Sequence, residues 1–369
     1  MFNLLYLCLN NGMSFLYKVA RSALFKADPE KAHSMTLQAM RSGAYPKKAS
    51  AIDDALIQEV LGFRFPNPVG LSAGFDKNAE VIEPVLKMGF GFTEVGTVTP
   101  KPQDGNPKPR IFRDIENEAV INRMGFPNGG VEVFAENFAA FQKKRAQIAG
   151  IVGINIGMNK TQTEPALDYA ALITRFAKDA DYLTINISSP NTPGLRNLQS
   201  RGPLLELLDA VKAARAEVTD DTPTPILVKF APDLSDEQID ELCGSVIDAG
   251  IEGVIVGNTT LDRPDFLSDG FRDEAGGLSG KPLTEKSTRV IGKFYKHLKG
   301  VMPIIGVGGI SNADDAYAKI KAGASLVQLY TGLIYQGPNI ASDINHGLLK
   351  LLRDDGYEHI SQAVGADHG

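Results

Sequence analysis

The 369-residue sequence contains no tryptophan, two cysteines and five histidines. The cysteines, Cys8 and Cys243, lie far apart and outside any C-x-x-C spacing, so the sequence has neither a disulfide framework nor a zinc or iron–sulfur motif. A lysine- or arginine-rich block is also missing, and the formal net charge is −6, which argues against a nucleic-acid partner. We therefore predict a protein of a reducing compartment that binds neither metal nor nucleic acid.

The sequence also lacks a long hydrophobic run near its start. The longest apolar stretch there, FNLLYLCL at residues 2–9, is too short to cross a bilayer, and no positive residue precedes it as in a secretory signal. We therefore predict no membrane span. Met13 offers a second start, and residues 1–12 are interpreted as a loose extension of the chain.

Short apolar runs rich in β-forming residues recur from residue 69 onward, each followed by a helical pattern. Such near-continuous apolar runs are typical of parallel strands that are buried on both faces. Eight runs are present, and eight parallel strands close a (β/α)8 barrel, which is the fold class we predict. The runs are VGLSAG at 69, FTEVGTVTP at 92, GIVGINIG at 150, YLTINIS at 182, ILVKFAP at 226, GVIVGNTT at 253, PIIGVGG at 303 and SLVQLYT at 325.

Two stretches interrupt this alternation, and both follow the ends of predicted strands. Residues 100–149 contain a Pro-rich segment, a predicted hairpin from Ile111 to Asn122 and a helix from about residue 131. Residues 261–288 are rich in Asp, Gly and Pro. Because the C-terminal strand ends form the mouth of such a barrel, we expect both stretches to cover the mouth as lids or binding segments.

Residues 1–45 are predicted to form a helical extension, separate from a barrel domain at residues 46–369. Apolar residues recur at helical spacing between Phe15 and Leu24. Asp28 and Pro29 are typical of a helix start, and an apolar stripe that includes Met35 follows them. The first 27 residues carry three basic side chains and no acidic one. The basic residues are Lys18, Arg21 and Lys26.

The predicted strand ends carry mostly amides and hydroxyls, with two lysines, no histidine and almost no carboxylate. A two-carboxylate glycosidase needs paired acids there, and a metal hydrolase needs His or acid ligands, so both classes are excluded. Amides and hydroxyls suit a flat heterocycle, while the glycines of GVGG and LYTG suit a phosphate, so FMN fits both. The strand-end residues are Lys77, Thr97, Thr99, Asn155, Asn186, Ser188, Ser189, Asn191, Lys229, Asn258, Thr259, Gly308, Gly309, Tyr330 and Thr331.

Each of these features has a second interpretation. The glycines also suit simple turn geometry, and Asn155 and Asn186 also suit plain strand ends. Lys229 alternates with Val228 and Phe230, so its side chain is expected to point into the barrel. There it is an amine for Schiff-base chemistry, a cation that stabilises a reduced flavin, or a lysine that reaches the solvent at the rim.

Longer motifs resemble those of a known family. The segments are AGFDKNAE at 73–80, GTVTPKPQDGNPKPRIFR at 96–113, NRMGFPN at 122–128, NISSPNTPGLRNL at 186–198 and GGLSGKPL at 276–283. Together they closely resemble class 2 dihydroorotate dehydrogenase, the quinone-linked family of pyrimidine synthesis. The likeness extends from about residue 14 to about residue 353, in the family's order. It implies a (β/α)8 barrel that binds one FMN non-covalently and oxidises (S)-dihydroorotate to orotate.

The resemblance also assigns contact residues by position. The FMN contacts are implied to be Ala73, Gly74, Lys77, Thr97, Asn155, Asn186, Lys229, Gly257, Gly280, Gly309, Tyr330 and Thr331. The dihydroorotate contacts are implied to be Lys77, Asn122, Arg123, Met124, Gly125, Phe126, Asn186, Asn191, Asn258 and Thr259. Gly257 departs from the family pattern, in which a side chain, often Thr, touches the flavin, so this single contact is in doubt.

The family's chemistry gives the serines distinct roles. The resemblance implies that Ser189 takes a proton from C5 of dihydroorotate while a hydride leaves C6 for flavin N5. A serine is a weak base, so its own proton needs a relay, for which Thr192 with an ordered water is the candidate. Asn186 and Asn191 are expected to hold the pyrimidine edge. Ser188 is interpreted as structural, and the cysteine base of class 1 enzymes has no counterpart at this strand end.

The N-terminal extension is explained by the second half-reaction of the family. Two helices there lead a membrane quinone, ubiquinone or menaquinone, to the flavin, and His33, Arg113 and Tyr330 match the positions around its head group. The resemblance implies a monomer that is peripheral to the cytoplasmic face of a bacterial inner membrane. Without it, two helices packed on the barrel or on a partner chain explain the apolar stripe equally well.

Two other classes of function compete with this interpretation. One is a Schiff-base aldolase on the same barrel, with Lys229 as the nucleophile. The other is a membrane-bound flavoprotein scaffold that keeps its cofactor and has no turnover.

Overall fold

All eight apolar runs form parallel strands, and these close into a barrel. The computed structural model describes residues 17, 21–22, 24–47, 53–219, 222–298 and 300–369. The strands are β1 (Gln58–Val60), β2 (Phe63–Phe65), β3 (Val69–Leu71), β4 (Phe92–Val98), β5 (Ile111–Asp114), β6 (Ala119–Asn122), β7 (Ile151–Ile156), β8 (Tyr182–Asn186), β9 (Ile226–Phe230), β10 (Gly253–Val256), β11 (Gly277–Gly280), β12 (Ile304–Val307) and β13 (Leu326–Leu329). The helices are α1 (Pro29–Arg41), α2 (Ile82–Lys87), α3 (Gly130–Gln142), α4 (Pro165–Phe176), α5 (Arg201–Val218), α6 (Asp236–Ala249), α7 (Thr284–Leu298), α8 (Ala313–Lys321), α9 (Thr331–Gln336), α10 (Ile340–Asp354) and α11 (Ile360–Ala363).

The barrel strands follow one another in chain order, which confirms the predicted fold class. Around the barrel the order is β3, β4, β7, β8, β9, β10, β12 and β13, and β13 pairs with β3 to close the ring. At least one helix follows each of the eight strands in the chain. All residues of these eight strands are buried, which explains why their sequences are apolar runs rather than alternating patterns.

A short antiparallel hairpin, β1–β2, closes the bottom of the barrel. Val60 and Phe65 belong to a buried cluster with residues from the first positions of the barrel strands, such as Phe92 and Tyr182. The rings of Phe65 and Phe92 meet edge to face with centroids 5.3 Å apart. A core layer thus separates the N-terminal end of the barrel from the mouth, where the polar strand ends lie.

A three-stranded antiparallel sheet lies over the mouth, in the order β11, β6, β5. The predicted hairpin from Ile111 to Asn122 is confirmed as β5 and β6, and the predicted helix is confirmed as α3. The second stretch, which we interpreted only as a loop, contributes β11 by pairing Gly277 with Asn122 and Gly280 with Ala119. Its two terminal glycines weaken any strand signal in the sequence. The strand forms because a distant partner edge is available.

The predicted start of α1 is confirmed. Asp28 Oδ1 accepts hydrogen bonds from the N–H groups of Glu30 at 3.1 Å and Lys31 at 2.9 Å, and Pro29 is the first helical residue. Most of the predicted first helix, including Phe15 and Lys18, lies outside the described residues. In the part that is described, no helix has both the length and the hydrophobicity that are needed to cross a membrane.

Candidate active site

One cavity of about 710 Å³ occupies the barrel mouth and extends outward to α1. Its volume is typical of sites for a cofactor and a small substrate. Most of the residues that the sequence placed at the site line it. These are His33, Ala73, Gly74, Lys77, Thr97, Arg113, Asn122, Met124, Gly125, Phe126, Asn186, Ser189, Asn191, Lys229, Asn258, Thr259, Gly280, Gly309, Tyr330 and Thr331. Four of the residues that the resemblance assigned to the site do not line this cavity, although the structure describes them. They are Arg123, Asn155, Thr192 and Gly257.

Buried amides and a hydroxyl form a connected polar network at the inner end of the cavity. Thr97 Oγ1 donates to Asn155 Oδ1 at 2.5 Å, and Asn186 Nδ2 donates to both Thr97 Oγ1 and Asn155 Oδ1 at 3.0 Å. Asn155 Nδ2 donates to Glu94 Oε1 at 2.7 Å. Asn155 therefore lies behind the cavity wall and orients the two side chains that line it, rather than merely ending a strand.

Lys229 points into the barrel, as predicted from its alternation with Val228 and Phe230. Its ammonium lies 3.2 Å from Ser72 Oγ and 3.5 Å from Glu94 Oε1, and its side chain is 4% exposed. Phe230 points the other way and stacks on Phe294 of α7. The buried cation thus has a buried anion beside it and lines the cavity.

Glu94 is a site residue that the sequence analysis missed. It lies in the middle of β4 rather than at its end, and it is 1% exposed. Besides Asn155, the side chains of Thr184 and Gln328 donate to its carboxylate at 3.1 Å. The signal available in the sequence was a lone glutamate in the apolar run FTEVGTVTP. A strand buried on both faces also buries this carboxylate, and a buried carboxylate needs a cation such as Lys229.

The GVGG motif forms a turn that faces the cavity. Gly308 and Gly309 have φ angles of +117° and +71°, and a Cβ on Gly309 would lie 2.4 Å from the backbone nitrogen of Thr284. Opposite this turn, α9 begins at Thr331, where the first N–H groups of a helix have no intrahelical acceptor. The φ angles and the close approach to Thr284 fit the turn interpretation. The N–H groups of the two segments are of the kind that the anion-binding interpretation requires.

Position 257 is restricted to glycine by the backbone of this chain. Gly257 has φ of +118°, and a Cβ there would lie 2.1 Å from the carbonyl oxygen of Val307. The side-chain contact of the family pattern at this position is therefore incompatible with the conformation seen here. The neighbouring Asn258 and Thr259 supply side chains to the cavity instead.

Ser189 lies in the loop after β8, at the cavity wall and 6% exposed. Its Oγ accepts a hydrogen bond from the backbone N–H of Asn191 at 3.2 Å. The Asn191 amide in turn donates to the backbone and side-chain oxygens of Asn122, at 3.1 and 3.3 Å. Thr192 follows in the same loop and is also buried. Ser189 and the Asn191 amide are thereby held in a fixed arrangement at one wall.

Ser188 has the structural surroundings that we predicted. It is fully buried, donates to Asn186 Oδ1 at 3.0 Å and accepts from Asn258 Nδ2 at 2.8 Å. Ser188 thus links two amides that line the cavity. The hydroxyl of the neighbouring Thr259 is buried without a hydrogen-bond partner among the described residues. An unpaired buried hydroxyl at the wall of a cavity is typical of a group that binds a ligand.

A partly buried ion pair connects α1 to the serine loop, and the sequence analysis missed it. Arg110 donates to both carboxylate oxygens of Glu30, at 2.5 and 3.1 Å. It also donates to the carbonyl of Asn106 at 2.8 Å, and Asn106 Nδ2 donates to the carbonyl of Asn191 at 3.1 Å. These partners are 80 and 85 residues apart, and no local pattern in the sequence pairs them.

Lys77 is a second cation at the cavity and is half-buried. Burial lowers the pKa of Lys77 to about 8, although the negative charges of Glu30 and Asp76 oppose this shift. Burial also raises the pKa of Asp76 to about 6, although the N–H groups of Val81 and Glu80 donate to its carboxylate. Lys77 therefore offers an ammonium whose charge is only partly compensated inside the cavity.

The three residues assigned to the quinone lie at the outer part of the cavity. Phe75 lies between His33 and Tyr330, with edge-to-face ring contacts at centroid distances of 5.3 and 5.8 Å. Arg113 donates to the carbonyls of Leu24, Phe25 and Ala27, and its guanidinium lies over the Phe25 ring. Arg113 therefore holds the segment before α1, and burial lowers its pKa.

His33 gives a testable pH dependence. Burial lowers the pKa of His33 to about 3, and the positive charge of Lys77 acts in the same direction. Because the folded-state pKa lies below the usual 6.5, the unfolded chain takes up a proton between pH 6.5 and pH 3 that the folded chain does not. His33 therefore contributes stability that is present above pH 6.5 and is lost as the pH falls through this window.

We expect the wild type to lose stability more steeply than His33→Gln as the pH falls below 6.5, since glutamine takes up no proton. The measurement is the urea unfolding midpoint of both proteins between pH 7 and pH 4. Identical pH dependence of the two midpoints would contradict the neutral, buried state of His33.

No group of three or more His, Cys, Asp or Glu side chains in the described ranges is arranged to hold a metal ion. The donor set of the cavity instead consists of amides, hydroxyls, backbone N–H groups and two lysines, together with His33 and Arg113. Such donors suit uncharged and anionic ring systems, as in a flavin with its phosphate and a pyrimidine carboxylate.

Comparison with known proteins identifies the family of the chain. The family model for Dihydroorotate dehydrogenase matches residues 55–352. The chain is 46% identical over 356 residues to "Dihydroorotate dehydrogenase (quinone)" of Rhodospirillum rubrum, covering 96% of each chain. It is 50% identical over 337 residues to the protein of the same name from Rhizobium leguminosarum, covering 91% of this chain and 92% of that one.

A similar solved structure is that of DHODH from Eimeria tenella in complex with ferulenol. Its TM-score is 0.90 at 39% identity, and the match covers 94% of this chain and 99% of that one. The ligand-free form from the same organism matches with a TM-score of 0.89 at 40% identity. The chain forms a closed eight-stranded barrel with a serine-bearing loop at its mouth, and its similar proteins have nearly the same length. Because the family model also matches most of its length, this chain belongs to the dihydroorotate dehydrogenase family.

Proposed function

We propose that this chain oxidises dihydroorotate to orotate in pyrimidine biosynthesis and transfers the electrons to a quinone. The observation that carries the proposal is a single cavity with three chemically distinct parts. The amide network with Lys229 forms its inner end, Ser189 and its neighbouring amides form one wall, and α1 covers the outer opening. The similar proteins named above as quinone-linked dihydroorotate dehydrogenases support the same activity.

The residues at the inner end fit FMN. Thr97, Asn186 and Lys229 present hydrogen-bonding groups suited to the edge of a flavin ring, and Gly309 and Thr331 present backbone N–H groups suited to its phosphate. Bound there, FMN supplies an acceptor for the hydride that leaves C6 of the substrate. Lys229 provides positive charge, which stabilises negative charge that develops on a reduced ring.

Ser189 is proposed as the base that takes the proton from C5 of dihydroorotate. The N–H of Asn191 donates to Ser189 Oγ at 3.2 Å, and a donor of this kind stabilises negative charge on the oxygen as it loses its own proton. Thr192, buried in the same loop, is the proposed relay for that proton. The fixed loop therefore brings the base and its electrostatic support to the same wall.

The substrate is proposed to lie between this wall and the flavin. Asn122 and Asn191 already contact each other, so their amides are oriented before the pyrimidine binds. The unpaired hydroxyl of Thr259 offers a further contact. Lys77 is proposed to bind the substrate carboxylate, because its buried ammonium gains an anionic partner there.

The outer part of the cavity is proposed as the quinone passage, for either ubiquinone or menaquinone. Ala32, Met35, Ala39 and Met40 of α1 line it, and Met35 is 57% exposed at its opening. An apolar side chain exposed at an opening favours contact with a lipid surface. This exposure supports a protein that is peripheral to a membrane. As the family resemblance implies, we propose a monomer at the cytoplasmic face of a bacterial inner membrane.

The N-terminal segment also packs on the barrel, and one of its basic residues, Arg21, contacts the barrel. Arg21 donates to the carbonyl of Tyr335 at 2.7 Å and lies over the Phe25 ring. Tyr17 donates to the carbonyl of Ile334 at 2.6 Å, and burial raises its pKa to about 12. The packing interpretation therefore describes Tyr17 and Arg21, while contact with a membrane is proposed for the exposed side of α1.

Filling the passage separates the two half-reactions. Ala39→Trp puts a bulky ring on the lining face of α1, and we expect it to slow quinone reduction at least about tenfold. Flavin reduction by dihydroorotate should change by less than about twofold, because the substrate lies at the inner end. Removing residues 1–41 should likewise abolish quinone reduction and leave some flavin reduction. Stopped-flow absorbance measures both steps.

The control is Gln38→Trp, which adds the same bulk to an exposed residue that does not line this cavity. It should leave both half-reactions at wild-type rates. Equal rates of quinone reduction in the two tryptophan variants would overturn the proposed passage.

The aldolase alternative is not favoured. A Schiff-base lysine must present a free amine to a carbonyl carbon, whereas Lys229 Nζ lies 3.5 Å from the carboxylate of the buried Glu94. The similar proteins also carry the name of a dehydrogenase.

A further inference from the structure

A fully buried lysine behind the phosphate-binding turn has no role in the chemistry proposed above. Lys319 of α8 is 0% exposed. Its ammonium donates to the carbonyl of Thr284 at 3.2 Å, to Ser287 Oγ at 2.6 Å and to Thr288 Oγ1 at 2.8 Å. Its three N–H groups thus have three acceptors, all of which are neutral. Burial lowers the pKa of Lys319 to about 7.

Two of the neighbouring hydroxyls contact the Gly308–Gly309 turn. Ser287 Oγ donates to the carbonyl of Gly308 at 2.8 Å, and Thr284 Oγ1 donates to the carbonyl of Gly309 at 2.6 Å. Because Ser287 Oγ accepts from Lys319, its own hydrogen is directed toward a carbonyl, and the carbonyl of Gly308 at 2.8 Å is nearer than that of Thr284 at 3.1 Å. Donation to a hydroxyl oxygen by a charged group also makes that hydroxyl a stronger donor.

The hydrogen bonds to the carbonyls of Gly308 and Gly309 determine the direction of the N–H group that follows each carbonyl. Both peptide bonds are trans, and in a trans peptide the C=O and the N–H point in opposite directions. With the carbonyls of Gly308 and Gly309 bound on the α7 side, the N–H groups of Gly309 and Ile310 are directed away from α7. Gly308, Gly309 and Ile310 all line the cavity, whereas Ser287 and Thr284 do not. Successive N–H groups aimed at one point form an anion-binding concavity.

We propose that Lys319 is a positioning residue for the cofactor phosphate: through Ser287 it fixes the Gly308 carbonyl, so that the N–H groups of the turn face the phosphate. This inference rests on the proposed binding of FMN. Because Lys319 acts on the phosphate end only, it should select the phosphorylated flavin over the same flavin without phosphate.

The test compares FMN with riboflavin, which has the same ring and ribityl chain but no phosphate. Full-length protein is stripped of flavin and titrated with each ligand by flavin fluorescence, at a pH below 7 so that the Lys319 amine is protonated. We expect Lys319→Met to weaken FMN binding at least about tenfold, because the charge-assisted contacts behind the turn are lost. Riboflavin binding should weaken by less than about twofold, because riboflavin has no phosphate.

Two further variants make the result decisive. Lys321→Met, two residues on in the same helix, removes a lysine that pairs with Asp355 and should leave both affinities unchanged. Ser287→Ala keeps Lys319 but removes the donor to Gly308, and should reduce the preference for FMN a few-fold, in the same direction. If Lys319→Met does not fold, Ser287→Ala carries the test.

Equal loss of FMN and riboflavin affinity in Lys319→Met would overturn the proposal, since it would indicate general damage to packing. An unchanged preference for FMN in Ser287→Ala would overturn the route through Ser287. These readouts do not involve dihydroorotate. A chain that prefers FMN as described but is not reduced by dihydroorotate would leave this inference standing and refute the proposed function.

Discussion

Ser189→Ala is expected to slow flavin reduction by dihydroorotate by about 10²–10⁴-fold, the range that a positioned base contributes. The variant should fold normally and stay yellow, because the amide network and Lys229 at the inner end of the cavity are untouched. Alanine removes the oxygen that accepts the N–H of Asn191 and would accept the C5 proton. Anaerobic stopped-flow absorbance at saturating dihydroorotate measures the rate.

The matched control for this experiment is Ser200→Ala. Ser200 is exposed and lies farther along the same connection, and its hydroxyl donates to the carbonyl of Asn197. It should reduce its flavin at the wild-type rate. If Ser189→Ala keeps a rate within about tenfold of wild type, a factor below what a general base contributes, another group takes the proton.

Lys229→Met is expected to lower the free energy of unfolding by about 3–5 kcal/mol, the cost of leaving one member of a buried ion pair alone. Methionine fills most of the space of the lysine stem, so the loss comes mainly from charge. Glu94 would stay 1% exposed without the cation that lies 3.5 Å away. Urea unfolding of the flavin-free proteins measures the change, since a bound ligand would add its own stabilisation.

The control is a double variant in which the carboxylate of Glu94 is neutralised as well. In Lys229→Met/Glu94→Gln, the buried carboxylate becomes a neutral amide. Its oxygen accepts from Asn155 Nδ2 at the former Oε1 position, and its NH2 group at the former Oε2 position donates to the Thr184 hydroxyl, which can turn to accept. We expect most of the lost stability to return. A double variant that is no more stable than Lys229→Met would show that the cost arises from packing around position 229, and the electrostatic account of this pair would be wrong.

The barrel was predictable because each of its strands is buried on both faces. This burial gives an apolar run that can be recognised locally, without knowing which strand is its neighbour. Strand β11 and the hairpin β1–β2 were not predicted. Each of these strands has three or four residues, too few for a clear alternation, and β11 exists only through its pairing with β6.

The same distinction applies to the site. Residues at the strand ends could be grouped from the sequence because all parallel strands of a barrel present their C-terminal ends at one mouth. Glu94 was missed because it lies in the middle of a strand, and its role follows only from the side chains of four other strands. The contact of Glu30 with Arg110 joins the N-terminal extension to the barrel, and nothing local in either segment specifies it.

The most direct test of the central claim is an anaerobic experiment with the purified, yellow, full-length protein. Dihydroorotate is added while the flavin absorbance is followed, and a short-chain ubiquinone is added afterwards. The account predicts bleaching of the flavin by dihydroorotate and recovery of its absorbance with quinone. A flavin that stays oxidised in the presence of dihydroorotate would contradict the account at its first step, and a flavin that bleaches but does not recover with quinone would contradict the proposed passage under α1.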